Sequence, residues 1–383
     1  MNSLKLIFTQ SKHFAPALVF ASLNVVFGTW AIYIPSIKAK LEINEGQLGL
    51  AIFYMALGTL TMIVLAPKII NRFGVGKATA YGIFIFLFSF IIPFIAEQYS
   101  WLCVGMYIVG ACSGFTDVAM NALVTEIEKN DNVHIMSANH GFFSLGGFLG
   151  AGIGGFFLPK ELMPINHLLV VIAILLVLNI IFVSKYINVS SVKFDETPFQ
   201  FKKLKPLFVI AIITFFIMAS EGAIVDWSAL YLEKVSLAKL SWIGLGYTVF
   251  SGTMAFGRFL GDDISIRFGS RSLILVGLSF GILGFGCVLL VEPILAIAGF
   301  GLVGLGLSVI IPELFRMAGK IKGIASSVSI SFISGIGFMG FLVGPVLLGF
   351  LAELASLKLS FLALLGFIVF SFFAAINLKI KGR

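Results

Sequence analysis

The chain of 383 residues is 59% hydrophobic and 11% charged, where a soluble globular domain carries roughly 25% charged residues. Its mean hydropathy is +1.07 and it holds 41 phenylalanines. These figures exclude a cytosolic enzyme, a nucleic-acid binder and a disordered regulator, so the net charge of +8 is read through the placement of Lys and Arg rather than through an acidic partner.

A membrane-crossing helix needs about 20 apolar residues. After a polar, basic stretch from Met1 to Lys12, twelve such runs follow in order near 14–37, 46–66, 77–97, 101–128, 133–158, 164–186, 206–233, 239–260, 273–292, 294–316, 323–350 and 356–378. The first run is too long for a signal peptide and lacks a small-residue cleavage site, so it is expected to be retained. The longer connection is polar, contains Lys193, Lys202, Lys203 and Lys205, and divides six runs from six. The expected domains are therefore an N-terminal bundle at 1–186, a cytoplasmic linker at 187–205 and a C-terminal bundle at 206–383. With the chain starting inside, all but six of the 26 Lys and Arg residues fall on cytoplasmic segments, as the positive-inside rule requires. The expected fold is an all-α polytopic membrane protein of twelve transmembrane helices with both termini cytoplasmic.

An ionisable group within a span costs ~2.5–3.5 kcal/mol on insertion scales and by default faces a cavity or a partner. Asp117 lies 16 residues into the fourth run, about 24 Å along a helix. Ser113, Asp117, Asn121 and Thr125 recur every four residues and form one polar stripe, which lipid cannot satisfy. In the fifth run Asn139 and His140 are candidate solute contacts, His140 because it titrates near neutral pH. Glu221 lies deep in the seventh run and is a candidate for both proton coupling and solute contact. Asp226, about 140° further round the same helix, and Trp227 read as an interfacial anchor or external gate, with Trp227 also a candidate solute contact. Asn24, Tyr247 and Ser331 complete the candidate cavity residues. Glu313, beside Arg316, reads as a helix-end salt bridge.

Other signals carry no chemistry. Gly299-Phe-Gly301-Leu-Val-Gly304 matches GxGxxG but lies within an apolar run with no βαβ context. Gly76-Lys77 lacks phosphate-loop spacing, so any transport must be powered by an ion gradient or be passive. Cys103, Cys112 and Cys287 give neither a disulfide framework nor a metal site. No cofactor and no metal are expected.

The sequence also repeats itself. Pro67-Lys-Ile-Ile-Asn71-Arg72-Phe73-Gly74 follows the second run, and Gly261-Asp262-Asp263-Ile-Ser-Ile-Arg267-Phe268-Gly269 follows the eighth, half a chain away. Parallel repeats of this kind build transporters that alternate access around a midplane site. The two loops resemble the short basic signature of the major facilitator superfamily, in which Arg72, Gly74, Gly261, Asp262, Arg267 and Gly269 would control conformation. The first copy departs from the pattern, with Pro67 in place of Gly and Asn71 in place of Asp. More narrowly, Asp117-Val-Ala-Met-Asn121 resembles the acidic segment of the fucose–proton symporter branch and its poorly characterised bacterial relatives. The acid that branch can carry in the first span is absent, its place taken by Ala31. The resemblance implies two six-helix bundles in a bacterial inner membrane and proton-coupled uptake of a small polar solute. Aromatic faces with Asn, Glu and His donors suit a sugar-like one. The expected partners are that solute, a proton and the bilayer, with no nucleic acid, and a monomer is expected. The alternatives are a proton-driven exporter of drugs or metabolites and, in another class, a non-transporting solute sensor or assembly factor.

Overall fold

The computed structural model describes residues 2–133, 135–157, 163–190, 201–318, 321 and 326–378, and among them no strand occurs. The helices are α1 (Asn2–Thr9), α2 (Ser11–Lys40), α3 (Glu45–Phe73), α4 (Val75–Ser89), α5 (Ile91–Ile95), α6 (Tyr99–Asp131), α7 (Met136–Phe157), α8 (Pro164–Val183), α9 (Phe208–Lys234), α10 (Leu245–Phe268), α11 (Ser270–Leu289), α12 (Pro293–Leu307), α13 (Ile310–Ala318), α14 (Ser326–Leu354) and α15 (Leu357–Ile376). With α4–α5 and α12–α13 each counted as one broken crossing, ten described segments are long and apolar enough to span a bilayer. The remaining long helices α7 and α10, of 22 and 24 residues, are also long enough at 1.5 Å per residue. Twelve crossings result.

Local chemistry places the helix ends. Asn44 caps α3 in a reciprocal box with Gln47, Glu292 accepts from the Leu295 N–H at the start of α12, and proline occupies the first turns of α8 and α12, where its missing N–H costs nothing. Two crossings expected to be continuous are broken, and the reason is the same in both. Pro93 and Pro312 cannot donate to the carbonyls of Ser89 and Ser308 four residues earlier, and α4 ends at Ser89 while α12 stops just before Ser308. The stretch expected to be a polar tail instead holds the helix α1.

The apolar surface is turned outward, as a bilayer demands. On α8, Val170, Ile174, Val177 and Ile181 are all more than half exposed and recur at helical spacing, marking a face for lipid. Between the halves, α2 meets α9, α3 meets α14, and α7 meets α10. Gly49 lies against the backbone of Pro345 and Gly349, so α3 and α14 touch main chain to main chain, the close approach that small residues permit. Residues 191–200 of the expected linker at 187–205, including Lys193, lie outside the described residues.

Ion pairing distinguishes the two ends. At the outer end, Lys38 and Lys234 both reach Glu45 Oε1, at 3.3 and 2.8 Å. There Asn44 Nδ2 and the Gly46 N–H donate to the Glu353 carboxylate, at 3.1 and 3.5 Å. The Lys234 and Glu353 contacts join one half to the other. Among the described residues the inner-end pairs stay within one half: Lys12 and His13 with Asp131, Lys129 with Glu126, and Arg316 with Glu313. The structure is closed on the outside.

A candidate site between the helix bundles

Two polar groups sit at mid-depth. The first is on α6. Asn121 Nδ2 donates to the Asp117 backbone carbonyl at 2.9 Å and to Asp117 Oδ1 at 3.2 Å, while Thr125 bonds back to the Asn121 carbonyl. Ser113 turns away, donating to the Gly110 carbonyl and lying 3.5 Å from Thr59 of α3. Asp117 and Asn121 are half-buried. Val104, 59% exposed, marks the lipid side of α6, and Asp117 lies about 140° around the helix from it. Among the described residues no cation pairs with Asp117.

The second group joins four helices. Asn24 on α2 donates to the Phe143 carbonyl of α7 at 2.9 Å, and Tyr247 on α10 donates to Asn24 Oδ1 at 3.3 Å. Gly147 makes room for this contact, since a Cβ there would come within 2.7 Å of the Asn24 amide and 2.6 Å of the Tyr247 hydroxyl. Arg258 on α10 donates through Nη1 to Ser144 Oγ of α7 at 2.6 Å and through Nη2 to Glu221 Oε1 of α9 at 3.2 Å. The Arg258 and Glu221 side chains are only 13% and 14% exposed. One guanidinium therefore ties both halves together inside the membrane. His140 is half-buried with its ring edge-on to Phe20, centroids 5.2 Å apart.

The expected residues divide accordingly. Asn24, Glu221 and Tyr247 belong to one network, with His140 beside it, while Asp117 and Asn121 form a separate pair. Asn139 is fully buried and its amide donates to the Ile135 carbonyl within α7. The Ser331 and Asp262 side chains lie outside the described residues. Trp227 and Asp226 are 0% and 4% exposed, which corrects the expectation of an interfacial anchor: the Trp227 ring lies against Gly349 of α14 rather than at a lipid–water boundary. Glu313 meets Arg316 at 2.8 Å as expected. Arg258 is the residue that sequence reasoning misplaced: it lies within the run at 239–260, yet it is counted among the cytoplasmic Lys and Arg residues. It sits ten residues, about 15 Å, inside the end of α10, and the depth count that singled out Asp117 would have found it.

The repeated loops are built alike. Arg72 and Arg267 are exposed near the ends of α3 and α10, and Gly74 and Gly269 follow with φ/ψ of 84°/153° and 78°/152°. Each glycine N–H closes the preceding helix, onto Ile70 and Ser265 respectively. Gly261 is buried two turns before the end of α10 and lies against Val309.

Comparison with known proteins agrees with this architecture. The sequence model of the Major Facilitator Superfamily matches residues 17–329. An uncharacterized MFS-type transporter of Yersinia pestis is 28% identical over 92% of the chain and 91% of its own length. The membrane protein MosC of Rhizobium meliloti is 30% identical over 93% of the chain and 88% of its own length. Among solved structures, a mutant of the nucleoside transporter NupG superposes with a TM-score of 0.75 at 12% identity, over 97% of this chain and 100% of that one. A bacterial homologue of the lysosomal transporter Spinster, in an inward-facing and occupied conformation, gives 0.74 at 14% identity over 95% of each chain.

Proposed function

The chain belongs to the Major Facilitator Superfamily, and on that premise we propose that it takes up a small polar, sugar-like solute together with a proton by alternating access. The observation that carries this reading is Asp117: a half-buried carboxylate at mid-depth, held by Asn121 and without a cationic partner among the described residues. An uncompensated carboxylate in low dielectric is a group that gains and loses a proton. Asp117 carries the coupling proton. The network of Asn24, Tyr247, His140 and Glu221 supplies donors, acceptors and aromatic faces for the solute. Glu221 differs from Asp117 in being already neutralised by Arg258, so it takes part in coupling only when that bond opens.

Proteoliposomes test the proposal. A thermal-shift screen of sugars and polyols selects a ligand, and its radiolabelled form is then followed under an imposed pH gradient. Asp117→Asn is expected to abolish concentrative uptake while sparing counterflow exchange, because a fixed neutral group still lets the loaded carrier turn over. Undiminished gradient-driven accumulation in that variant overturns the assignment. Solute leaving as protons enter would point to an exporter instead.

A further inference from the structure

Near the outer surface, α7 of one half and α10 of the other leave a groove between them. Gly152, Gly155 and Phe156 of α7 face Ser241, Leu245 and Thr248 across a volume of about 470 Å³. At 1.5 Å per residue, these α7 positions lie within about 8 Å of the outer end of that helix, where acyl chains of the outer leaflet approach their headgroups.

The groove exists because its walls are low. A Cβ placed on Gly155 would meet nothing nearer than the Gly244 Cα at 3.9 Å, and one on Gly152 would meet the Thr248 methyl at 3.3 Å. The Thr248 hydroxyl is already spent on the Gly244 carbonyl, 2.8 Å away, so the wall it presents is apolar. Deeper in the seam the Phe148 ring lies against Gly252 and closes the groove from below. Ile153 and Phe156 of α7 and Phe256 of α10 are exposed and mark the lipid side. Gly147, which carries the Asn24–Tyr247 contact, lies about 140° round α7 from Gly152. The groove therefore opens sideways into the bilayer and not toward the polar network. No charged side chain lines it among the described residues, and an apolar space of this kind favours hydrocarbon over water.

At the mouth the chemistry changes. Ser241 belongs to the short turn Leu240–Trp242, and Lys239 just before it is exposed, with Nζ 5.7 Å from the centroid of the Trp242 ring. Lys38 and Lys234 are both held by Glu45, whereas no carboxylate pairs with Lys239 among the described residues. A tryptophan and a lysine at the end of a crossing sit at headgroup level.

We propose that the outer α7–α10 groove seats one acyl chain of an anionic phospholipid of the outer leaflet, with Lys239 on its phosphate. A zwitterionic headgroup carries a cation of its own, which Lys239 repels, so the net negative charge is what the site selects.

Native mass spectrometry of the full-length protein, with phosphatidylglycerol or phosphatidylcholine of identical acyl chains added at matched concentrations, tests the site. The parent is expected to retain one phosphatidylglycerol in preference to phosphatidylcholine. Lys239→Gln is expected to weaken phosphatidylglycerol about fivefold, the weight of one lysine beside an anionic lipid, and Lys239→Arg to keep the preference. Gly155→Leu, whose side chain fills the groove, is expected to lose the retained lipid. Lys358→Gln, at the outer end of α15, is expected to bind as the parent does. Lys239 is at the surface, so its variants decide the matter even if Gly155→Leu does not fold. Equal retention of the two lipids by the parent, an equal effect of Lys358→Gln and Lys239→Gln, or a folded Gly155→Leu protein that still holds phosphatidylglycerol would mean an unselective lipid coat and overturn the proposal. None of these outcomes depends on which solute is carried.

Discussion

Arg258 and Glu221 face each other where water can solvate neither charge well, and each is more stable for the presence of the other. Removing one partner of a buried pair typically costs about 3–5 kcal/mol, because the remaining charge is left uncompensated, whereas replacing both is often nearly neutral. Glu221→Gln and Arg258→Gln should therefore each lower the unfolding midpoint of the purified protein clearly, and the double variant should recover most of the loss. A double variant as unstable as the sum of the two singles would show that the residues are not coupled. The pairing was only half visible in the sequence. Glu221 stands out because an acid in an apolar run has few bland explanations. Arg258 sits four residues from Asp262 in a basic stretch, where a cytoplasmic role is the simpler reading. Asp117 with Asn121 was legible because i, i+4 spacing fixes a shared face before any packing is known. Which of these side chains meet across the halves was not legible, since that depends on how α7 and α10 dock.

At the scale of helices and turns, the repeated Arg-Phe-Gly ends have a conformational explanation. Gly74 and Gly269 adopt almost the same backbone geometry, with φ near 80° and ψ near 150°, a region essentially restricted to glycine. Nothing lies within 4 Å of a Cβ placed at Gly269, so a loss there comes from the backbone and not from crowding. Gly269→Ala should destabilise the protein by about 1–3 kcal/mol. Gly286→Ala offers the contrast: that glycine also has free space around it but lies within α11, where alanine is the better residue by about 0.5–1 kcal/mol. Thermal unfolding of the two variants should move in opposite directions, and a Gly269→Ala protein as stable as its parent would rule out the backbone argument. The crossings themselves were legible because a bilayer forces each to be long, apolar and helical. The breaks at Ser89 and Ser308 were not, since proline is tolerated unbroken at Pro16, Pro35, Pro67 and Pro345 and only packing decides between a bend and a break. Helix α1 escaped notice because eight residues with a Lys do not form an apolar run.

For the molecule as a whole, the pairings of α3 with α14 and of α7 with α10 are equivalent under exchange of the two halves, so one rocking motion loosens or tightens both. What holds the outer end shut is a small set of polar contacts on Glu45 and Glu353 laid over the backbone contact of Gly49 with Pro345 and Gly349. Exposed pairs of this kind contribute only ~0.2–1 kcal/mol each, which is too little to lock the protein and well suited to bias an equilibrium. Glu353 carries more than its charge suggests, because its carboxylate also accepts from the first turn of α3 in the opposite half, where the positive end of a helix favours an anion. Glu353→Ala removes the hydrogen bonds from Asn44 and Gly46 while leaving the Glu45–Lys234 pair in place. A loss of about 1 kcal/mol changes a two-state ratio roughly fivefold. Spin labels at Lys40→Cys and Lys358→Cys, at the outer ends of α2 and α15 and with the three native cysteines replaced by alanine, should then show by pulsed dipolar spectroscopy about five times more of the separated population, with the fold and the unfolding midpoint little changed. An unshifted distance distribution in Glu353→Ala would mean that the glycine-lined backbone contact alone keeps the outer end closed, and that the carboxylate at the tip of α14 plays no part in the gate.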